Sequence, residues 1–413
     1  MKVGIFFGGP AREREVSFAG GRTALTYIDK ALFQPVLVFV DGLGNFILIR
    51  EEFLSAGSIR DFYPQQTDPR FRVYVESLAD QSAGEVENGI AAIGRRIQPQ
   101  EFKDHFEVVF LAMHGPDCED GALQGLLEWY KIPYTGPGLM GSAVGINKIL
   151  QNQLIALVNG QEKKTSVINR EAWDTTDKAL VFDSLQSLLG LPIVVKAPHQ
   201  GSSIGVSIVR ENDLERFIKA VDQCFFRQEI NLADWHALAD DAKIAYVQQI
   251  ADLDSGIGYP VFIEQTGEKV LHPAVLLQKL SEQGAEGSIS VISANAEEEV
   301  LFEEFIRGQE FSCGVIQDDD GTAVALPPTE IYNVTSFDFK SKYQSTTTKK
   351  RIPVDTDLEH NRKIQLSVAD VFTRLGMNVC ARIDGFLTPG SPEEPSRVLL
   401  HDPNTIPGMS PSS

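Results

Sequence analysis

No apolar run approaches the roughly 20 residues that cross a bilayer, and the opening MKVGIFFGG lacks the apolar stretch and cleavage site of a secretory signal. The expectation is a soluble, unexported, cytoplasmic chain. Cysteine is scarce. The four residues Cys118, Cys224, Cys313 and Cys380 form no CxxC pair and meet no histidine at zinc-ligand spacing. They read as reduced, buried thiols. Basic residues are outnumbered, 37 Lys+Arg against 57 Asp+Glu, for a formal net charge of −20. Such a chain repels nucleic acid and anionic membranes at long range, although a few placed cations still suffice for ATP. The glycine-rich stretch GSSIGV at 201–206 lacks the Lys-Ser/Thr ending of a P-loop, and GGPARE near the start is not a dinucleotide fingerprint.

What is there is ample core material. Hydrophobic residues make up 43% of 413, enough for two or three domains. KVGIFF runs into Gly8-Gly9, a helix-like segment and a second apolar run, PVLVFVDG, which is the opening of an α/β unit with a parallel sheet. VVFLAMHG repeats the pattern, so Gly8 to Ser17 and His114 to Gly121 lie where open α/β sheets collect ligands. The units expected are residues 1–146, 147–302 and 303–413. Within the second, LPIVVKAP reads as a buried strand and 211–225 as a helix. Residues 226–297 change in character and read as an inserted subdomain without assigned chemistry. There LADWHALADDAKIAYVQQIADL suggests one amphipathic helix, and YPVFIEQTGEKVLHPAVLLQKL a hairpin before a helix opened by Pro273.

Several stretches carry chemistry. GSSIGV at 201–206, with Ser202 and Ser203, is small enough for backbone N–H groups to approach an anion, though such a sequence is more often only a turn. Lys196 leaves an apolar strand, where a lysine can also simply reach solvent. With Lys148 and Lys342 it makes three candidate cations for a triphosphate. ARIDGFL and LLHDPN place Asp384, Asp402 and Asn404 at the ends of adjacent strands, an oxygen set that suits magnesium. Alternation along a strand puts Asp402 and Asn404 on one face. Arg382 shares a face with Asp384, either to meet developing negative charge or as a structural ion pair.

FFGGPAREREVS, MHGPDCEDGALQGLL, IPYTGPG, VVKAPHQGSSIGVS, EEFIRGQEFS, KSKY, ARIDGF and PNTIPGMSPSS stand in the order found in D-alanine–D-alanine ligases. The chain therefore resembles that family, and the resemblance implies a three-domain ATP-grasp fold whose first sheet is Rossmann-like and parallel. It implies that Glu13 holds the ammonium of a first D-alanine, with Ser17 and His114 in the same subsite. Ser202 and Tyr343 would close the site with Glu13. Lys148, Lys196, Lys342 and Ser203 would bind ATP phosphates, and Glu303, Glu304, Ile306 and Glu310 its adenine and ribose. Asp384, Asp402 and Asn404 would carry magnesium or manganese, and Arg382 would steady the oxyanion. Gly408 and Ser413 would receive the second D-alanine. A homodimer and a role in peptidoglycan precursor synthesis are implied as well.

Four features depart from the family pattern. Asp402 replaces a glutamate, and Cys118 replaces a glycine expected to need backbone freedom. The loop after Tyr343, QSTTTKKRIPVD, is unusually basic, and the chain stops at Ser413, short of a further helix. A ligase with another acceptor, such as D-lactate or D-serine, and an ATP-binding homologue without activity are the alternatives.

Overall fold

The computed structural model describes residues 1–55, 57–63, 68–74, 82–332, 349–391 and 395–408. Its first sheet contains Lys2–Gly8 (β1), Gln34–Val40 (β2), Phe46–Ile49 (β3), Gly94–Ile97 (β4) and Val108–Leu111 (β5), in the order β4-β3-β2-β1-β5. β1 is buried on both faces from Val3 onward, as its unbroken apolar run requires of a central strand. It lies parallel to β2 and β5, while β3 and β4 extend the sheet antiparallel. Gly8 and Gly9 (φ 96° and 98°) turn the chain from β1 toward the helix Arg14–Tyr27. A Cβ on Gly8 would sit 2.4 Å from the Val40 carbonyl oxygen, so the turn needs glycine.

Thr165–Asn169 (β6), Ile193–Lys196 (β7) and Val206–Val209 (β8) begin a second region. Arg227–Asn231 (β9), Val261–Ile263 (β10), Glu268–Val270 (β11) and Ser288–Ser293 (β12) follow, and the chain returns as Glu299–Glu304 (β13). Two antiparallel sheets result, β6-β13-β7-β8 and β11-β10-β12-β9. The hairpin β10–β11 and the helix Pro273–Glu282 match the sequence reading. The single helix expected before them is two, Leu232–Ala237 and Asp240–Ile250, separated by extended Leu238 and Ala239. Asp240 and Asp241 open the second, where acids favour a helix start over a helix interior. Residues 226–297 do not form a core of their own. Trp235, Val247 and Leu276 share one cluster with Trp173, Phe182 and Phe217, and with Phe71 and Val73 from the first region.

The last sheet joins Gln309–Gln317 (β14), Ala323–Ala325 (β15), Thr329–Tyr332 (β16), Lys349–Arg351 (β17), Cys380–Leu387 (β18) and Val398–Asn404 (β19). Its order is β17-β16-β14-β18-β19, with β15 also on β14. Helix Leu358–Arg374 covers it, burying Ile364, Val368, Val371 and Phe372. The 302/303 boundary lies inside β13, and the helix Lys148–Asn159 sends Ile155 into the core of this last sheet because its apolar stripe faces that way. Among the described residues no helix is long and apolar enough to cross a membrane.

Candidate active site

Beyond the Gly8-Gly9 turn the chain delivers Glu13 to the start of helix Arg14–Tyr27, 4% exposed. The loop between β7 and β8 meets it. That loop is closed by Ile204 N–H to Gly201 O (2.9 Å) and Ala197 N–H to Gly205 O (2.9 Å). Ser202, Ser203 and Gly205 take φ of 51°, 63° and 65°, a run that turns backbone N–H groups toward one side. The Ser202 hydroxyl donates to Glu13 Oε1. Gly201 is essential to the contact, since a Cβ there would lie 2.6 Å from Glu13 Oε2.

His114, at the end of β5, donates its backbone N–H to Ser17 Oγ (3.0 Å). Ser17 is fully buried and does not line the cavity, so its part is to fix His114. Glu119 stands 3.7 Å from His114 Nδ1. Burial alone would lower the His114 pKa, but Glu119 and Glu13 outweigh it and raise it. Burial pushes the Glu13 carboxyl up, Glu119 pushes it further, and His114, Ser202 and Lys148 offset part of this. An ammonium against Glu13 would return it to the charged form.

The opposite end is built from β7, β13, β18 and β19. Glu303 accepts from Lys163 Nζ at 2.6 Å and pairs with Lys196 Nζ at 2.8 Å; Lys196 also lies 3.6 Å from Asp402. Burial alone would raise both acids, but the lysines hold Glu303 and Asp402 well below the usual carboxylate range, with His401 also acting on Asp402. Lys148 Nζ donates to Gln200 O, at the base of the serine loop. Arg382 donates to both oxygens of Asp384 (2.9 and 3.1 Å), which also accepts from Ser312 Oγ (2.6 Å) and Asn404 Nδ2 (3.3 Å). A register irregularity at Ile383/Asp384 and the left-handed Asp402 (φ 43°) interrupt the alternation expected along β19. Asp402 leans to Lys196 and Asn404 to Asp384, yet both face the same space.

That space is a cavity of about 380 Å³. It brings together Glu13, His114, Lys148, Lys196, Ser202, Ser203, Glu303, Glu304, Ile306, Glu310, Arg382, Asp384, Asp402, Asn404 and Gly408, all singled out from sequence. Val194, Ile208, Phe305 and Ile306 give it an apolar wall. Lys342, Tyr343 and Ser413 lie outside the described residues. Sequence reasoning missed Lys163, Glu119, Gln200, Lys350 and His401. Lys163 sits in a polar QEKK run that looks like a surface loop, and only β6–β13 pairing brings it inside. Glu119 lies in MHGPDCEDGALQGLL, where nothing in its spacing sets it apart from Asp117 and Asp120. Cys118 corrects another expectation, because the left-handed residues of its turn are Gly115 (φ 83°) and Asp117 (φ 65°) and the buried thiol needs no glycine.

Among the described residues no three His, Cys, Asp or Glu side chains form a metal cluster. Magnesium asks for less, namely one or two carboxylates with phosphate oxygens. Asp384, Asp402 and Asn404 line the same cavity and carry hard oxygen donors, so the residues fit an ion carried in with a triphosphate.

Antiparallel sheets closing on a cleft of lysines and acids, beside a parallel sheet that brings a carboxylate to the same cleft, define an ATP-grasp fold. The structure is similar to the D-alanine-D-alanine ligase from Coxiella burnetii (TM-score 0.60, 21% identity, covering 100% of this chain and 87% of that one). It is similar also to the VanG D-Ala:D-Ser ligase from Enterococcus faecalis (TM-score 0.59, 20% identity, 99% and 91%). In sequence it is 26% identical over 416 residues to the D-alanine–D-alanine ligase of Geobacillus kaustophilus, covering 100% of this chain and 88% of the relative. The D-alanine–D-alanine ligase A of Brucella melitensis is 24% identical over 421 residues (99% and 89%). The family model described as D-ala D-ala ligase N-terminus matches residues 2–137, and the model of its C-terminus matches 161–229 and 224–413. The chain belongs to the D-alanine–D-alanine ligase family of enzymes.

Proposed function

We propose that this chain joins two D-alanine molecules at the expense of ATP, through a D-alanyl phosphate, to supply a peptidoglycan precursor. The observation that carries the reading is one cavity with an under-compensated carboxylate, Glu13, at one end and a lysine–carboxylate cluster at the other. Glu13 suits the ammonium of the first amino acid. The apolar wall of Val194, Ile208 and Ile306 suits a flat purine, and Lys148 and Lys196 suit its phosphates.

With the amine held at Glu13, the amino acid's carboxylate points toward the lysines. A carboxylate oxygen attacks the γ-phosphorus, the bond to ADP breaks, and ADP leaves. The neutral amine nitrogen of the second D-alanine then attacks the acyl carbon, the carbon–oxygen bond to phosphate breaks, and the nitrogen's proton passes to the departing phosphate. Magnesium on Asp384, Asp402 and Asn404 supplies charge neutralisation at the transferring phosphoryl group when bound. Arg382 would donate to the oxyanion of the second step, and Gly408, which lines the cavity, would receive the acceptor. The serine loop over Glu13 excludes water, which would otherwise hydrolyse the acyl phosphate.

The test is phosphate release from ATP and magnesium with and without D-alanine, with mass spectrometry of the product. D-alanine-dependent phosphate and a dipeptide mass are expected. Release only with a different acceptor would change the substrate, and ATP binding without amino-acid-dependent turnover would sink the reading. Within it, Arg382→Ala should lower kcat by roughly 10²–10³, the usual cost of one oxyanion donor; steady-state kinetics reads this, and near-normal turnover would remove Arg382 from the step.

A further inference from the structure

Residues 297–299 are three successive glutamates, where the chain returns from the 226–297 segment to β13. Glu298 is exposed and pairs with Arg170 at 2.8 Å, and Glu299 begins β13, half-buried. Glu297 alone is buried, 5% exposed, and it does not line the main cavity. Both of its oxygens serve one place. Oε1 accepts from Gln200 Nε2 (2.9 Å) and from the His199 backbone N–H (3.3 Å), and Oε2 lies 2.8 Å from His199 Nδ1.

His199 and Gln200 are the entry of the serine loop. Directly after them Gly201 abuts Glu13 and the Ser202 hydroxyl donates to it, while the Gln200 carbonyl accepts from Lys148 Nζ. The loop is not a relaxed conformation. Ser202 and Ser203 stand at φ of 51° and 63°, a region that serine rarely adopts and that persists only where the surroundings hold it. Ile204 N–H on Gly201 O and Ala197 N–H on Gly205 O close the tip and the base. Between them residues 198–200 are held from outside, by the Lys148 backbone N–H on Pro198 O (3.1 Å), by Lys148 Nζ and by Glu297. Of these acceptors only Glu297 is a carboxylate, and bonds to an ionised group are about twice as strong as neutral ones.

We propose that Glu297 is a positioning residue for the subsite of the first amino acid, holding the entry of the serine loop so that Ser202 meets Glu13 and the Gln200 carbonyl meets Lys148. What that subsite takes rests on the function proposed above; the contacts do not. The 226–297 segment, which contributes no lining residue to the main cavity, then has a use. Through Glu297 it braces the loop over the amino-acid end. Glu297 has one competing role. It offsets, with Asp254, the charge of the buried Arg12 guanidinium, which donates to Ile257 O (2.6 Å) and Ser293 Oγ (3.0 Å). The two roles part at one substitution. Glutamine loses the charge but keeps an acceptor for Gln200 and the His199 N–H, and its own N–H can meet His199 Nδ1. Alanine loses everything.

The test is hydrogen exchange of the full chain read by mass spectrometry, with KM for D-alanine and for ATP measured on the same variants. In Glu297→Ala the amides of 199–206 should exchange about tenfold or more faster, while peptides from β1 and helix Arg14–Tyr27 keep the parent's rates. KM for D-alanine should rise about tenfold and KM for ATP less than about threefold, because Lys196 stays anchored on Glu303. Glu297→Gln should bring both readouts back to within about threefold of the parent. Gln200→Ala leaves Glu297 and Arg12 in place and should move both in the same direction as Glu297→Ala; if Glu297→Ala does not fold, these two variants decide. Glutamine as damaging as alanine makes Glu297 a counter-charge to Arg12 and overturns the proposal. So does faster exchange throughout the chain, or loop exchange unchanged in Gln200→Ala. Loop exchange that follows these variants in a chain binding no D-alanine would refute the proposed function and leave the positioning role standing.

Discussion

Both ends of the main cavity bury carboxylates, and they treat them in opposite ways. Glu303 and Asp402 sit against Lys163 and Lys196 and are held strongly ionised. Glu13 is as deeply buried as Glu303, yet its neighbour Glu119 adds repulsion, and its carboxyl is pushed up. The first end is electrically closed before any ligand arrives, so its acids hold two lysines in place, which under the proposed function would meet phosphates. The second end is left open by one positive charge, which under the proposed function an amino acid's ammonium would supply. Preorganisation of one kind fixes cations in place, and of the other kind reserves a place for one.

The sharpest way to break the contrast is Lys196→Met. It removes the cation shared by Glu303 and Asp402, and breaking a buried pair from one side costs roughly 3–5 kcal/mol. Chemical denaturation should show that loss near neutral pH, together with loss of ATP binding. The sign with pH follows from the directions. The two acids have folded values below their unfolded ones, so their contribution is complete above the ordinary carboxylate range and fades as pH falls through it. Lys196 is raised, so its contribution is complete below the ordinary lysine value and is lost only at higher pH. The variant and the parent should therefore converge in acid. A difference that persists unchanged at pH 3 would refute the electrostatic account.

Next comes Gly201→Ala, which strikes the meeting of serine loop and Glu13. A methyl 2.6 Å from a Glu13 oxygen forces one of them to move, and overpacking of this kind costs about 1–3 kcal/mol. The expected result is a KM for the first amino acid raised about tenfold or more, with ATP binding unchanged. Equal damage to both would mean that the whole loop had shifted.

Glu13→Gln should act with the reverse sign on stability. Because the folded value of Glu13 lies above the unfolded one, its ionisation opposes folding: the penalty is absent in acid, grows as pH rises through the ordinary carboxylate range, and stays constant above the folded value. The amide keeps an acceptor for Ser202. The ligand-free variant should therefore melt higher than the parent at pH 7–8 and equally at low pH, while losing turnover. Thermal melts across that range check it; a lower melting temperature at pH 8 would show that Glu13 is compensated after all.

Legibility from sequence followed the same divide. The parallel opening, the strand–loop–strand at 191–209 and the paired acids of β18 and β19 announced themselves through short apolar runs ending in polar groups. Most site residues lay in such endings. What escaped was whatever depended on long-range pairing. Lys163 becomes internal only when β6 lies beside β13, and helix Lys148–Asn159 joins the last sheet through Leu154, Ile155 and Val158, none of which is near that sheet in the chain. The 226–297 segment looked remote from the chemistry because Arg12 and Ile257 are far apart in the chain, although one hydrogen bond joins them. Bulges and left-handed residues, as at Asp402, leave no mark in the alternation of a strand.

The smallest effect tests a reading that the structure reversed. If position 118 needed glycine, Cys118→Gly would restore stability. The thiol is instead fully buried, its backbone is outside the left-handed region, and a Cβ on the facing Gly9 would lie 2.4 Å from its sulfur. Cys118 thus fills the volume that Gly9 leaves empty. Replacing it removes packed atoms and adds backbone freedom to the unfolded chain, each unfavourable, for a loss of about 1–2 kcal/mol. Because the same turn leads to Glu119, whose charge helps push Glu13 up, the loosened turn should also lower D-alanine affinity slightly rather than raise it. A variant that melts higher and binds more tightly would return the position to the glycine account and weaken the contrast between the two ends of the cavity.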